Sequence, residues 1–162
     1  MKKSILAILI VSIFGIISCQ NISGQTKKPS ASRTKSKPAA EWKKVLTPNQ
    51  YHIMVESGTE TPYKNDYYDN HQKGVYVSAA TGDVLFSSAD KFDSGTGWPS
   101  FVKAVDAGKV EVVTDNSYGM SRDEVIEKST GLHLGHVFDD GPADRGGKRF
   151  CMNSGALKFV KK

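Results

Sequence analysis

Seven short runs of β-branched and aromatic residues follow one another between residue 74 and residue 160. Gly, Pro, Asp and Asn separate the runs, and these residues favour turns. Strands of this length and composition are typical of antiparallel sheets. The pattern predicts a mainly β domain of two antiparallel sheets, with strands at Val75–Ser78, Val84–Ser87, Val110–Thr114, Glu124–Lys128, Leu134–Phe138, Arg149–Met152 and Leu157–Val160.

A short helix is predicted before the first of these strands. Thr47 is a good N-cap, Pro48 suits the first helical turn, and Gln50 lies where the partner of a capping box belongs. The helix should run from Pro48 to about Glu56, because Gly58 favours a stop.

The longest apolar stretch lies at the N-terminus, from Ile5 to Ile17 after two lysines. It is shorter than the ~20 residues that span a bilayer and is typical of a signal peptide, here residues 1–18. Ser18 before Cys19 resembles the lipobox of bacterial lipoproteins, which implies that Cys19 is lipidated and becomes the mature N-terminus. An uncleaved signal anchor and cleavage near Ser23 remain alternatives. We expect an exported lipoprotein of a bacterial cell envelope, held on the membrane by its lipid and facing the periplasm.

Charge divides the rest of the chain into two parts. Residues 19–42 are rich in Lys, Ser, Thr, Pro and Ala, a composition that buries no core, so we expect a flexible basic tether. The whole chain carries a formal charge of +5, yet from Val45 onward 13 Lys and Arg face 16 Asp and Glu. The folded domain, residues 43–162, is therefore mildly acidic, which argues against nucleic-acid binding.

Cysteine use leaves one thiol for chemistry. The chain has two cysteines, and with Cys19 committed to lipid, Cys151 has no intramolecular disulfide partner. A lone cysteine on a β-strand is usually buried and inert, unless neighbours such as Arg149 and nearby histidines lower its pKa.

Three clusters contain the residue types that catalysis uses. In the first, residues 91–101, two glycines around Thr96 predict a tight turn that presents Trp98. The second, residues 131–142, contains His133 and His136, which should point to opposite faces of a strand; with no third ligand evident, we expect no metal site. The third, residues 148–154, surrounds Cys151.

Taken together and in order, these clusters resemble the signature of one family. Gly-Thr-Gly-Trp-Pro-Ser-Phe, then Leu-His-Leu-Gly-His-Val-Phe-Asp-Asp-Gly-Pro, then Arg-Phe-Cys-Met-Asn-Ser are similar to the motifs of the methionine-R-sulfoxide reductases, the B class. The resemblance runs from about Val45 to Val160. It implies two antiparallel sheets with short N-terminal helices, and reduction of methionine-R-sulfoxide in oxidised proteins, with the free amino acid left open as a substrate.

The resemblance also implies roles for individual residues. Cys151 would attack the sulfoxide sulfur and become a sulfenic acid, as thiolates do. His133 and His136 would bind and protonate the departing oxygen, and Asn153 would hydrogen-bond at the same site. Trp98 and Phe150 would contact the substrate, and Arg149 paired with Asp140 would set the electrostatic field around the thiolate.

The chain departs from the family pattern at two places. Thr96 stands where many members have a resolving cysteine, so we expect a thioredoxin-like protein or a small thiol to reduce the sulfenic acid. The positions of the family's zinc cysteines hold Ser78, Thr81, Glu127 and Thr130. We therefore expect no zinc and no other cofactor, in a monomeric enzyme.

Two other interpretations use the same residues. Cys151, His136 and Asn153 could serve a papain-like hydrolase, although the flanking motifs of that family are missing. A lipoprotein binding module that uses Trp98 and the histidines would need no reactive thiol.

Overall fold

The computed structural model of the protein describes residues 33–162, apart from the side chain of Tyr118. The predicted signal peptide and lipidated Cys19 lie outside the described residues. Within residues 33–162 two helices precede nine strands: α1 Ala39–Val45, α2 Pro48–Met54, β1 Gly74–Ser78, β2 Val84–Ser87, β3 Lys91–Phe92, β4 Ser100–Phe101, β5 Val110–Asp115, β6 Arg122–Glu127, β7 His133–Phe138, β8 Arg149–Met152 and β9 Leu157–Lys161.

The strands form two antiparallel sheets. The smaller sheet has the order β2-β1-β9, and the larger has the order β3-β4-β8-β7-β6-β5. This confirms the predicted fold class, and all seven predicted strands are present. The sequence pattern missed α1 and two strands, β3 and β4. Each of these strands has only two residues, which is too short for an alternating pattern.

Aromatic rings join the two sheets. Phe86 of β2 stacks on Phe101 of β4 with 4.6 Å between ring centroids, and Tyr76 of β1 lies edge-on to Phe101 at 5.0 Å. All three side chains are fully buried. Burial of rings of this size contributes about 2–3 kcal/mol each, so this contact anchors β4, the strand next to β8.

The helix α2 begins with the predicted capping box. Thr47 Oγ1 accepts from the Gln50 N–H at 3.3 Å, and Gln50 Oε1 accepts from the Thr47 N–H at 3.0 Å. Ile53 and Met54 are buried on the domain side of the helix. The helix ends at Met54, two residues earlier than expected.

Residues 33–42, which we expected to belong to the free tether, lie against the domain. The Lys35 N–H donates to the Ser129 carbonyl at 2.9 Å, and Lys35 Nζ contacts Asp83 at 2.7 Å. Trp42 of α1 is buried in the hydrophobic core. The average composition of residues 19–42 did not indicate this packing, because Trp42 alone supplies most of the apolar surface of the segment. Neither helix of the described residues has the length and apolar character needed to cross a membrane.

Candidate active site

Cys151 lies on β8 between two neighbouring strands. It pairs with Ser100 of β4 on one side and with His136 of β7 on the other. Directly paired residues of antiparallel strands point to the same face of the sheet. His136, Cys151 and Ser100 therefore line one face. A Cβ at position 135 would lie 2.1 Å from the Cys151 carbonyl oxygen, so the close approach of β7 to β8 requires Gly135.

A β-bulge brings the two motif histidines together. Val125 of β6 pairs with Gly135, but the next residue, Ile126, pairs with His133, which leaves one extra residue, Leu134, in β7. The extra residue reverses the alternation of side chains along the strand. The ring centroids of His133 and His136 are 5.3 Å apart. The expectation that they point to opposite faces was wrong, because it assumed a regular strand.

His133 is held from both sides of its ring. Nδ1 lies 2.8 Å from Oε1 of Glu124 on β6, and both side chains are buried. Nε2 lies 3.4 Å from the Asn153 amide nitrogen. The Glu124 carboxylate oxygen accepts and the Asn153 amide nitrogen donates. The His133 ring therefore donates from Nδ1–H to Glu124 and accepts at Nε2 from Asn153.

His136 is more open and is bound to a carboxylate of β5. Its Nε2 lies 3.1 Å from Asp115 Oδ2, and Arg122 Nη2 lies 2.8 Å from the same oxygen. Burial lowers the pKa of His136, with Arg122 and His133 adding to the effect and Asp115 opposing it. Burial would raise the pKa of Asp115, but hydrogen bonds, including those from His136 and Arg122, hold it well below its ordinary value.

Asn153 is held inside the protein by hydrogen bonds at both ends of its side-chain amide. Its Oδ1 accepts from the Glu60 N–H at 3.2 Å, and its Nδ2 donates to the Leu134 carbonyl at 3.2 Å as well as facing His133. The side chain is buried. Because both ends of the amide are engaged inside the protein, Asn153 supports His133. The hydrogen bond of Asn153 to substrate at the reaction site stays a prediction.

The predicted pair of Arg149 and Asp140 is present. Arg149 Nε and Nη2 donate to the two carboxylate oxygens, each at 2.8 Å, and the guanidinium lies over the Phe138 ring at 4.4 Å. The hydrogen bond with Arg149 lowers the pKa of Asp140. Burial raises the pKa of Cys151, and the positive charge of Arg149 is the largest influence in the opposite direction.

The predicted turn around Thr96 lies in the loop before β4 and borders Cys151. Gly95 and Gly97 have φ angles of +69° and +86°, which few other residues adopt. Between them, Thr96 Oγ1 lies 4.0 Å from Cys151 Sγ. Trp98 Nε1 donates to the Glu60 carbonyl at 3.2 Å, which fixes the indole.

Phe150 does not belong to this face. It pairs with Phe101 and Val137, and its ring lies 6.1 Å from that of Phe86. Neighbouring residues of a strand point to opposite faces. Phe150 therefore packs against the core while Cys151 faces the site, and the contact of Phe150 with the substrate stays a prediction.

A cleft of about 610 Å³ opens beside the histidines. Its walls include His133, His136, Asp115 and Arg122 on the sheet, and His52 at the end of α2. His133 and His136 thus border an open cleft.

The sequence matches a known family model along most of the chain. A family model described as the SelR domain covers residues 46–161. The chain belongs to the SelR family, that of the methionine sulfoxide reductases B. It is therefore an oxidoreductase and not a papain-like hydrolase or a simple binding module.

Two curated relatives, each named "Peptide methionine sulfoxide reductase MsrB", show the same relationship. The protein of Methanosarcina barkeri is 52% identical over 129 residues, which cover 80% of this chain and 90% of the relative. That of Methanosarcina mazei is 50% identical over 125 residues, which cover 77% of this chain and 89% of the relative. Both matches extend beyond the site to nearly the whole domain.

The four positions at which the family resemblance implies zinc cysteines in many members, Ser78, Thr81, Glu127 and Thr130, form a hydrogen-bonded cluster in this chain. Thr81 Oγ1 donates to one carboxyl oxygen of Glu127, and Thr130 Oγ1 donates to the other at 2.9 Å. Ser78 Oγ accepts from the backbone N–H groups of Ala80 and Thr81. One carboxyl group and three hydroxyls do not fit a tetrahedral zinc site, which needs thiolate or imidazole ligands.

Sequence reasoning missed four residues that hold the SelR site together. Asp115, Arg122 and Glu124 come from β5 and β6, and Glu60 from the segment after α2. Their roles depend on which strands pair and in which register. No local pattern reveals this, although acidic residues near the ends of β-prone runs are a weak signal.

Proposed function

We propose that this chain reduces methionine-R-sulfoxide to methionine with Cys151 as its nucleophile. The observation that carries the proposal is the direct pairing of Cys151 with His136, on the face that Arg149 and the Trp98 loop also border. A thiol, an imidazole and a guanidinium are what the reaction needs: a nucleophile, a proton donor and a positive charge beside the thiolate.

The reaction balances with these groups alone. The Cys151 thiolate attacks the sulfoxide sulfur, and the sulfoxide oxygen takes up a proton. The bond between the two sulfurs and the S–O bond of the substrate then break as the hydroxyl passes to Cys151, which becomes a sulfenic acid while methionine is released; the thiol is oxidised by two electrons and the sulfoxide is reduced by two. Overall, one thiol and one sulfoxide give one sulfenic acid and one thioether.

His136 is the proton donor that the geometry favours. Its Nε2 is engaged with Asp115, so Nδ1 is the nitrogen that takes up and releases a proton. The burial that lowers the pKa of His136 makes its imidazolium a stronger acid when it forms. His133, with both ring nitrogens hydrogen-bonded, orients the site from behind.

Trp98 would receive the S-methyl group of the substrate. Its indole is fixed by the Glu60 carbonyl, and a fixed flat apolar surface opposite a proton donor can distinguish the two sulfur epimers. Selection of the R epimer comes from the family resemblance.

Recycling of Cys151 would depend on an outside thiol. The hydroxyl of Thr96, 4.0 Å from Sγ, cannot form a disulfide. A first external thiol condenses with the sulfenic acid to a mixed disulfide and releases water, and a second thiol frees Cys151. A thioredoxin-like protein supplies both thiols in one molecule.

The proposal includes the location and the lack of a metal. Residues 1–19 support an exported lipoprotein that repairs oxidised proteins in the cell envelope. The hydrogen-bonded cluster around Glu127 supports a protein that functions without zinc. One equivalent of zinc in the purified protein would contradict the second point.

A turnover assay on separated epimers tests the function. The full chain should reduce methionine-R-sulfoxide, free or in a peptide, with thioredoxin or dithiothreitol, and should leave the S epimer unchanged. The variant Cys19→Ser is the control and should turn over at the unsubstituted rate. Equal use of both epimers, or loss of activity in Cys19→Ser, would exclude the proposed mechanism.

A further inference from the structure

Three hydroxyl groups form a continuous chain beside the Cys151 sulfur. Ser94 Oγ lies 2.8 Å from Thr96 Oγ1 and 2.7 Å from Ser100 Oγ. Thr96 Oγ1 faces Cys151 Sγ at 4.0 Å. Ser100, a fully buried residue of β4, pairs directly with Cys151 of β8. At its far end, Ser100 Oγ donates to the Trp98 carbonyl at 3.2 Å.

Such a chain can adopt two directions. In the first, Ser100 donates to the Trp98 carbonyl, Ser94 donates to Ser100, Thr96 donates to Ser94, and the Thr96 oxygen can accept from the thiol. In the second, each hydroxyl has rotated: Ser100 donates to Ser94, Ser94 to Thr96, and Thr96 to the sulfur. Hydroxyl rotation changes the direction without moving a proton between atoms, since each hydroxyl is both donor and acceptor.

We propose that Ser94, Thr96 and Ser100 act as one positioning unit, which accepts a hydrogen bond from the Cys151 thiol and donates one to its thiolate. The inference rests on the proposed role of Cys151 as the nucleophile and adds how its charged state is stabilised. Ser94 contributes through Thr96 and Ser100. The loop beside the Cys151 sulfur presents hydroxyl groups and no second thiol. Once Cys151 is oxidised, the same three hydroxyls therefore face its sulfenic acid.

Two other groups lie near the sulfur. Arg149 brings positive charge along β8 and a side-chain hydrogen bond of its own to Cys151, while its Nε and Nη2 donate to Asp140. His136 on β7 is bound to Asp115 through Nε2. Burial raises the pKa of Cys151, and hydrogen bonds from Thr96 and Ser100 oppose the rise after the charge of Arg149. A charge-assisted hydrogen bond is stronger than a neutral one, which favours the thiolate.

The test measures the thiol directly, in a Cys19→Ser background with a single cysteine. The rate of alkylation by iodoacetamide is followed across pH for the parent and for Thr96→Val, Thr96→Ser and Ser94→Ala. Thr96→Val should react about fivefold more slowly at neutral pH, with its midpoint at higher pH, because a hydrogen bond to a charged group is lost. Thr96→Ser should restore the parent curve, and exposed Thr61→Val should leave it unchanged.

Ser94→Ala separates a chain from a single contact. It removes no atom next to the sulfur, yet it should move the midpoint in the same direction as Thr96→Val. An unchanged curve in Thr96→Val, an equal shift in Thr96→Ser, or an unchanged curve in Ser94→Ala would overturn the inference. Alkylation needs no sulfoxide, so this result is independent of whether the turnover assay succeeds.

Discussion

Two carboxyl groups on β6, three residues apart, have different hydrogen-bond partners and different surroundings. Glu124 binds His133 beside the open cleft, whereas Glu127 binds Thr81 and Thr130 in the buried cluster between the turns after β1 and β6. Both side chains are almost fully buried. The comparison teaches that burial of a polar group does not identify a site. What distinguishes the two is the location of the hydrogen-bond partner: His133 lines the cleft, and Thr81 and Thr130 do not.

This contrast predicts that substitutions in the Cys151 region reduce activity and leave stability nearly unchanged. The largest effect is expected for Cys151→Ser, which should lower kcat by more than about a thousandfold, because a serine hydroxyl is far less nucleophilic than a thiolate. The steady-state rate with methionine-R-sulfoxide measures it. Activity within tenfold of the unsubstituted enzyme would remove Cys151 from the mechanism; urea unfolding confirms that the variant is folded.

His136→Ala should have the next largest effect. Loss of the proton donor should lower kcat by about a hundredfold, the usual contribution of general acid catalysis. KM should change little, because Trp98 remains in place. His71→Ala is the matched control, since His71 is an exposed histidine bound to Asp69. An equal loss of rate in both variants would assign the effect to the fold and not to proton transfer.

Arg149→Met should reduce kcat/KM by about tenfold at neutral pH, through a loss of thiolate. Burial raises the pKa of Cys151 and Arg149 opposes the rise, so the variant's pKa must be higher still. The deficit should therefore shrink as the pH rises, until the thiol ionises in both proteins. A deficit that is the same at every pH would mean that Arg149 acts by another route. Arg149→Lys keeps the charge and should fall between the two.

Glu127→Ala should change activity least and stability most. Its removal leaves the Thr81 and Thr130 hydroxyls without their carboxyl acceptor, and such a loss costs about 1–3 kcal/mol of the free energy of unfolding. Urea titration measures the change, and Glu127→Gln, which keeps one acceptor oxygen, should lose less. The kcat of the folded variant should equal that of the unsubstituted enzyme. A large drop in kcat would show that the Glu127 cluster and the Cys151 site depend on each other.

Local chemistry predicted the fold well, and pairing between strands decided the rest. The capping box of α2 and all seven predicted strands follow from nearest neighbours and turn residues. The bulge at Leu134, by contrast, depends on the register of β6 against β7, which no run of residues reveals.

The roles within the site show the same limit. The turn around Thr96 follows from its two glycines, and the pairing of Arg149 with Asp140 is present as expected. The core packing of Phe150 and the hydrogen bonds of Asn153 to Glu60 and Leu134 depend on contacts between distant segments, which no local pattern reveals.

The central claim is that Cys151 acts alone and passes through a sulfenic acid, and trapping that state tests it most directly. The full chain is mixed with one equivalent of methionine-R-sulfoxide and with dimedone, without reductant, and the peptide that contains Cys151 is examined by mass spectrometry. We predict a dimedone adduct on Cys151 with the R epimer and none with the S epimer. A disulfide between Cys151 and Cys19, or formation of methionine without any adduct on Cys151, would contradict the account.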